Sequence, residues 1–232
     1  MIGDDLSLRL QLIDACRRLE SSGLTFGTSG NVSVRRDASS ILISPSGVEY
    51  ATLQPHDIPV LSFDGHWYGR LRPSSEWRFH RDVMRMRTDA GAIVHTHSTY
   101  ATALACRRQA IPAFHYMVAV AGGRDIRCAP YHTFGTQALS DAVLKALENR
   151  SACLLANHGV IAIGRDIDAA LKLAGEVENL ARQYVIASTN GNVQVLADTE
   201  MECVVEKFRD YGRQDVGDAD LIHGGESPPL VV

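Results

Sequence analysis

The apolar run Ala92-Ile93-Val94 ends in His95-Thr96-His97, and a second apolar run closes on Asn157-His158-Gly159. In a β-strand, residues i and i+2 project from the same face, so His95 and His97 point together. Two imidazoles at that spacing can ligate one divalent ion, with Zn–N distances of about 2.0–2.1 Å. A third imidazole with one open position makes a catalytic zinc arrangement, whereas a closed structural site would use cysteine. His158 is the candidate third ligand, because Gly159 lets the backbone turn sharply beside it. Taken alone, the His-x-His pattern suits two partly buried, hydrogen-bonded histidines at least as well. Sequence distance does not bring the three together.

Glu76 is the next residue that could do chemistry. The run Pro73-Ser74-Ser75-Glu76-Trp77 puts two hydroxyls and a carboxylate at an expected helix start. A helix N-terminus offers unpaired N–H groups and a favourable dipole, so Ser74 and Ser75 could hold a phosphate. Ser74 acting as a plain cap, with Glu76 in the first turn, explains the same residues. The loops Gly27-Thr28-Ser29-Gly30-Asn31 and Ser44-Pro45-Ser46-Gly47 share this anion-friendly make-up, and each also reads as a simple turn. Neither carries the glycine and lysine spacing of a dinucleotide or P-loop fingerprint.

The elements that must position these residues are legible in outline. Apolar residues at Leu6, Leu10, Ile13 and Cys16 have helical spacing, with Gly23 placed to stop that helix. NVSVR, SILIS and IPVLSF read as short strands separated by Pro45-Ser46-Gly47 and Asp64-Gly65 turns. A helix is expected over EWRFHRDVMRMR, capped by Ser74, followed by the strand AIVHTHS and the helix TYATALACRR. Then come the strand IRCAPY, the helix TQALSDAVLKALENR, and two strands from CLLANHGVIAIG bent at His158-Gly159. A long helix opens at Asp166 or Asp168, and MECVVEKFRDYG closes the ordered pattern. Strands joined by short turns and interleaved with helices imply an α/β sandwich with a largely antiparallel sheet.

The chain has 232 residues, enough for a self-sufficient core, and no internal linker divides it. One domain over 1–212 is expected, with 213–232 a tail that is mobile or at a subunit interface. Net charge is −4 with both signs interspersed, which argues against a nucleic-acid partner. No apolar stretch approaches 18 residues and the N-terminus shows no signal-peptide pattern, so no membrane role is expected. Cys16, Cys106, Cys128, Cys153 and Cys203 form no CxxC pair. They are expected to be reduced and packed as small hydrophobes, in a cytoplasmic setting.

Taken in order, GTSGNVSVR, ISPSG, PSSEWRFH, VHTHS, IPAFHYM, AGG, CAPYHTFGT, NHG and EKFRDYG resemble the class II aldolase/adducin family from about Leu12 to Tyr211. The resemblance implies a three-layer αβα sandwich around a mixed, mostly antiparallel sheet, and a homotetramer with its active site at the subunit interface. It implies Zn2+, or another divalent ion such as Mn2+ or Co2+, held by His95, His97 and His158. Glu76 would be a fourth ligand without substrate and the acid/base in turnover. Thr28, Gly30, Asn31, Ser46, Gly47, Ser74 and Ser75 would bind the phosphate of a small phosphorylated sugar. Tyr116 would reach from a neighbouring subunit to the aldehyde oxygen, and Phe134 and Tyr211 would shape the aldehyde pocket.

The implied reaction is reversible cleavage of a ketose 1-phosphate to dihydroxyacetone phosphate and a small aldehyde. L-fuculose 1-phosphate and 5-deoxypentulose or 5-methylthioribulose 1-phosphates are the candidate substrates. Epimerases, dehydratases and decarboxylases of the family share the metal and phosphate sites, and an adducin-like scaffold shares only the fold. Tyr116 within IPAFHYM favours the aldolase, and the retained His95, His97, His158 and Glu76 argue against the scaffold. Asn157 stands where the family's L-fuculose-phosphate aldolase has a histidine.

Overall fold

The structure is a computed structural model that describes residues 5–208. Among them, eight strands form one sheet: β1 (Asn31–Arg35), β2 (Ser40–Ile43), β3 (Val60–Ser62), β4 (Trp67–Tyr68), β5 (Ala92–Thr96), β6 (Arg127–Ala129), β7 (Ala152–Leu155) and β8 (Gly159–Gly164). Their order is β4-β3-β2-β1-β5-β8-β7-β6. Neighbours run antiparallel except β6 and β7, which are parallel. The helices are α1 (Leu6–Ser21), α2 (Trp77–Met86), α3 (Thr99–Cys106), α4 (Gln137–Ala146), α5 (Ile167–Ala187) and α6 (Asp198–Phe208).

Strand periodicity sorts the side chains into two cores. Val32, Val34, Leu42, Ala92, Val94, Leu154, Val160 and Ala162 pack with buried residues of α1, α3 and α5. Ile41, Ile43, Ile93, Cys153, Leu155, Ile161 and Ile163 pack with α2 and α4. The central strands β1, β2, β5, β7 and β8 therefore bury both faces, the expected condition for a sheet covered by helices on either side, while the edge strand β4 is exposed. The result is the expected three-layer αβα sandwich with a mostly antiparallel sheet. His95 follows Ile93 by two residues and so lies on the α2 side, its ring 5.6 Å from that of Phe79.

Local chemistry sets several element ends. Asp166 caps α5 by accepting the Ala169 N–H at 2.8 Å, and Thr136 caps α4 through the Leu139 N–H at 3.2 Å. Gly23, at φ +71°, follows the end of α1. The start of α2 departs from expectation. The helix begins at Trp77 with Glu76 at the cap, and Ser74 Oγ instead accepts the Glu76 N–H, one turn earlier. The Ser74 N–H donates to Ser44 O at 3.0 Å and Pro73 bridges Pro45, which holds Ser74 at the sheet margin and delays the helix.

The cysteines depart in part as well. All five are free, but Cys106 and Cys203 are exposed, not packed. Burial pushes the Cys16 thiol up to about 12 and raises Cys153 too, so neither is a ready nucleophile. Among the described residues no helix is long and apolar enough to cross a membrane. Tyr211, the tail 213–232 and the last residues of the expected closing helix lie outside the described residues.

Candidate active site

The site forms where β5 ends and β7 turns into β8. In the sheet register, His95 on β5 faces Asn31 on β1 and Ile161 on β8, and Thr96 faces Val160. His97 therefore emerges just past β5, beside His158, which immediately precedes β8. Asn157 makes the turn at φ +54°, a left-handed conformation that asparagine tolerates better than most residues. Gly159 permits the close approach: a Cβ there would lie 2.3 Å from Thr96 O and 2.9 Å from His97 Cδ2. Gly159→Ala is expected to destabilise the fold by about 1–3 kcal/mol through overpacking. It should also weaken divalent-metal binding by roughly 10-fold or more, because both flanking imidazoles must shift. Thermal melts and chelator competition measure the two effects; a wild-type melt with wild-type metal retention would refute the account.

The three imidazoles converge. One ligand nitrogen from each of His95, His97 and His158 lies within 4.8 Å of the others. His95 Nε2 is 3.1 Å from His97 Nε2 and 3.2 Å from Glu76 Oε2. Glu76 Oε1 lies 3.1 Å from His158 Nε2, yet this buried oxygen has no donor in hydrogen-bonding alignment. Two ligands of a tetrahedral ion with bonds of ~2.0–2.1 Å would stand about 3.3 Å apart, close to these spacings.

Protonation supports the same reading. His95 Nδ1 is 3.0 Å from the Val160 carbonyl, which only accepts, so Nδ1 carries the proton and Nε2 presents a lone pair. A second-shell carbonyl that fixes the tautomer is the usual support for a metal-binding histidine. Without a cation, that lone pair would face a carboxylate oxygen, two acceptors in contact. The residues therefore fit a divalent ion. Burial, then the neighbouring His95 and His158 imidazoles, pushes His97 down to about 4, so its ring is available as a ligand at pH 7. Burial alone would raise the Glu76 carboxyl, but the His95 and His158 imidazoles more than offset it and hold it below the usual carboxylate range.

Beside this cluster lies a cleft of about 300 Å³. Thr28, Gly30, Asn31, Ser46, Gly47, Ser74, Ser75, Glu76, His97, Phe134 and His158 all line it, and His95 lies fully buried behind them. Gly47 takes φ +69°, which turns the Ser44–Gly47 loop back toward the cleft wall. Among the described residues no Lys or Arg lines the cleft, so an anion there is met by hydroxyls, backbone amides and the N-terminus of α2. The Asn31 side chain is already engaged, with Nδ2 donating to Glu76 Oε2 at 2.9 Å.

Tyr116 does not line the cleft of its own chain. It sits in a 3-10 turn (Tyr116–Ala121), half-exposed, with its ring stacked on His115 and 6.4 Å from Phe208. Sequence reasoning missed Tyr131, His132 and Asn157, which do line the cleft. They lie in CAPYHTFGT just past β6 and in the β7–β8 turn. Parallel pairing sets Ala129 beside Leu155 and carries the end of β6 to His158. A histidine and a tyrosine directly after a strand end were the available signal.

A family model described as Class II Aldolase and Adducin N-terminal domain matches residues 10–185. The chain is 52% identical over 212 residues to a 5-methylthioribulose-1-phosphate/5-deoxyribulose-1-phosphate aldolase of Rhodospirillum rubrum, covering 91% of this chain and 96% of that one. It is 47% identical over 207 residues to the L-fuculose phosphate aldolase of Escherichia coli K12, covering 88% and 95%. A solved structure described as L-fuculose 1-phosphate aldolase superposes with a TM-score of 0.84 at 42% identity, covering 88% of this chain and 96% of that one.

Proposed function

The chain belongs to the class II aldolase and adducin family, and on that premise we propose that it cleaves a 5-deoxypentulose or 5-methylthioribulose 1-phosphate to dihydroxyacetone phosphate and a small aldehyde. The observation that carries the reading is the meeting of Glu76 with three imidazoles at the end of a hydroxyl-lined cleft. His95, His97 and His158 would hold Zn2+, with Mn2+ or Co2+ as replacements, and Glu76 would complete the set without substrate. When bound, the ion supplies Lewis-acid polarisation of the substrate carbonyl and stabilises the charge left as the carbon–carbon bond breaks.

The chain's own residues do the rest. Thr28, Gly30, Ser46, Gly47, Ser74 and Ser75 bind the phosphate, and Asn31 keeps Glu76 in place beside it. Glu76, buried and deprotonated, moves the proton at C3 of dihydroxyacetone phosphate. Tyr116, turned away from its own cleft, serves the C4 oxygen in a neighbouring copy of a homotetramer. Phe134 and Tyr131, exposed at the mouth, give an apolar wall suited to a methyl or methylthio end. That wall, with the 52% identity, favours these substrates over L-fuculose 1-phosphate, whose aldehyde fragment is more polar. The free cysteines suit a cytoplasmic setting.

An aldol-cleavage assay over the three phosphoketoses, read as dihydroxyacetone phosphate, tests the reading. Highest kcat/KM is expected for the deoxy and methylthio substrates, and no product from any of them would defeat it. The phosphate assignment has its own test. Hydrogen bonds to a charged group contribute about 1.5–3 kcal/mol, so Ser46→Ala and Ser75→Ala are each expected to raise KM roughly tenfold or more while leaving kcat nearly unchanged. Steady-state kinetics decides it; an unchanged KM in both variants would move the phosphate elsewhere.

A further inference from the structure

Behind the imidazole cluster a chain of hydrogen bonds leads away from the cleft. Asn31 Nδ2 donates to Glu76 Oε2 at 2.9 Å, Asn31 Oδ1 lies 2.5 Å from His80 Nε2, and His80 Nδ1 lies 2.7 Å from Ser33 Oγ. His80 and Ser33 are wholly buried, so bulk water offers them no alternative partner, and Asn31 and Glu76 are only 4% and 5% exposed where they line the cleft. His80 lies on α2 one turn past Glu76, with its ring stacked on Phe79 at 4.6 Å between centroids.

The direction of the chain follows from what each atom can do. The Glu76 carboxylate only accepts, so Asn31 must present its amino group to it and its carbonyl oxygen to His80. That oxygen also only accepts, so His80 Nε2 must carry the hydrogen. In the neutral ring Nδ1 is then bare and takes the Ser33 hydroxyl. Were the Asn31 amide turned over, its carbonyl oxygen would face the carboxylate, acceptor against acceptor in a buried site.

We propose that His80 is a positioning residue for the reaction: by donating from Nε2 to Asn31 Oδ1 it locks the Asn31 amide so that Nδ2 holds Glu76 Oε2. Oε2 is thereby kept as an acceptor. Oε1, which has no aligned donor, is the oxygen that exchanges the proton. The inference rests on the aldolase reading, in which Glu76 moves the C3 proton of dihydroxyacetone phosphate.

Two variants separate positioning from filling space. His80→Phe keeps the volume and the stack on Phe79 but donates nothing, whereas His80→Gln restores a donor near Nε2. The readouts are kcat, KM, metal per chain, and exchange of the C3 proton of dihydroxyacetone phosphate in D2O without aldehyde. Outer-shell substitutions of this kind cost about 10–100-fold, so His80→Phe should lower kcat and exchange together by that factor, with KM and metal content little changed. His80→Gln should recover most of the loss. In the as-purified full chain, 15N NMR of His80 should show the Nε2–H tautomer.

A wild-type exchange rate in His80→Phe, a Gln variant no better than Phe, or an Nδ1–H tautomer overturns the proposal. If His80→Phe fails to fold, Ser33→Ala takes its place. Loss of the donor to Nδ1 should slow exchange by several-fold, and a wild-type rate there overturns the proposal equally. Should the wild-type chain itself neither exchange nor cleave, the aldolase reading falls and takes this inference with it. Normal wild-type exchange with an indifferent His80→Phe removes the positioning role alone.

Discussion

His95→Ala is expected to fold, to purify without bound metal, and to lose turnover by about 10³-fold or more, the rate equivalent of several kcal/mol of lost charge stabilisation. His95 is fully buried at the back of the cluster. Its Nδ1–H is tied to Val160 O, so its Nε2 is aimed before any ion arrives. It is also the imidazole that touches the other groups, with His97 Nε2 at 3.1 Å and Glu76 Oε2 at 3.2 Å. Removing it opens one corner of the cluster and leaves His158 as the imidazole against Glu76. Elemental analysis gives metal per chain, circular dichroism reports folding, and cleavage kinetics gives turnover. A metal-free His95→Ala protein with full activity would sink the mechanism.

Glu76→Gln is expected to lower kcat by about 10²–10⁴-fold while most of the metal is retained. Glutamine has the same shape and its amide oxygen can still accept from Asn31 Nδ2, so the buried arrangement survives. What it cannot do is accept and return a proton. The three imidazoles stay in place to hold the ion, which separates loss of proton transfer from loss of metal. Proton exchange at C3 of dihydroxyacetone phosphate should fall with kcat. Full exchange in a metal-loaded Glu76→Gln protein would assign the proton transfer to another group.

The contrast between the two variants tests the division of labour at the site. His95→Ala removes metal and turnover together, whereas Glu76→Gln removes turnover with the metal still bound. The contrast depends on Glu76 sitting at the N-cap of α2, where Ser74 Oγ holds its backbone N–H and Asn31 holds its side chain. Three further segments, carrying Asn31, His95 and His158, therefore converge on one carboxylate.

Much of this was legible from residue order because it depends on local stereochemistry. Period-two alternation in Ala92–Thr96 put His95 on the face of Ile93, and the same alternation in β8 matched Ile161 and Ile163 to that layer. That the long helix opens at Asp166 or Asp168 also followed from residue type and place, and Asp166 is the one that caps it. Where expectation failed, a neighbouring segment had overruled a local preference. Ser74 caps no helix because Ser44 and Pro45 hold its backbone at the sheet margin. Cys106 has apolar neighbours in sequence but ends α3 facing outward.

By itself the sequence determined which side chains share a face, because a strand or helix repeats over a few residues whatever it packs against. It thereby determined that His95 and His97 share a face and that Glu76 stands at a helix entrance. Only the tertiary structure decided that His158 joins them. That depends on β8 lying next to β5 in antiparallel register, with Gly159 small enough to let the turn close on Thr96 and His97. The same packing set Asn31 and His80 behind Glu76, brought Tyr131 and His132 to the cleft, and left Tyr116 outside it. Pairing between distant strands is fixed by how the whole sheet packs, and no short run of residues records that arrangement.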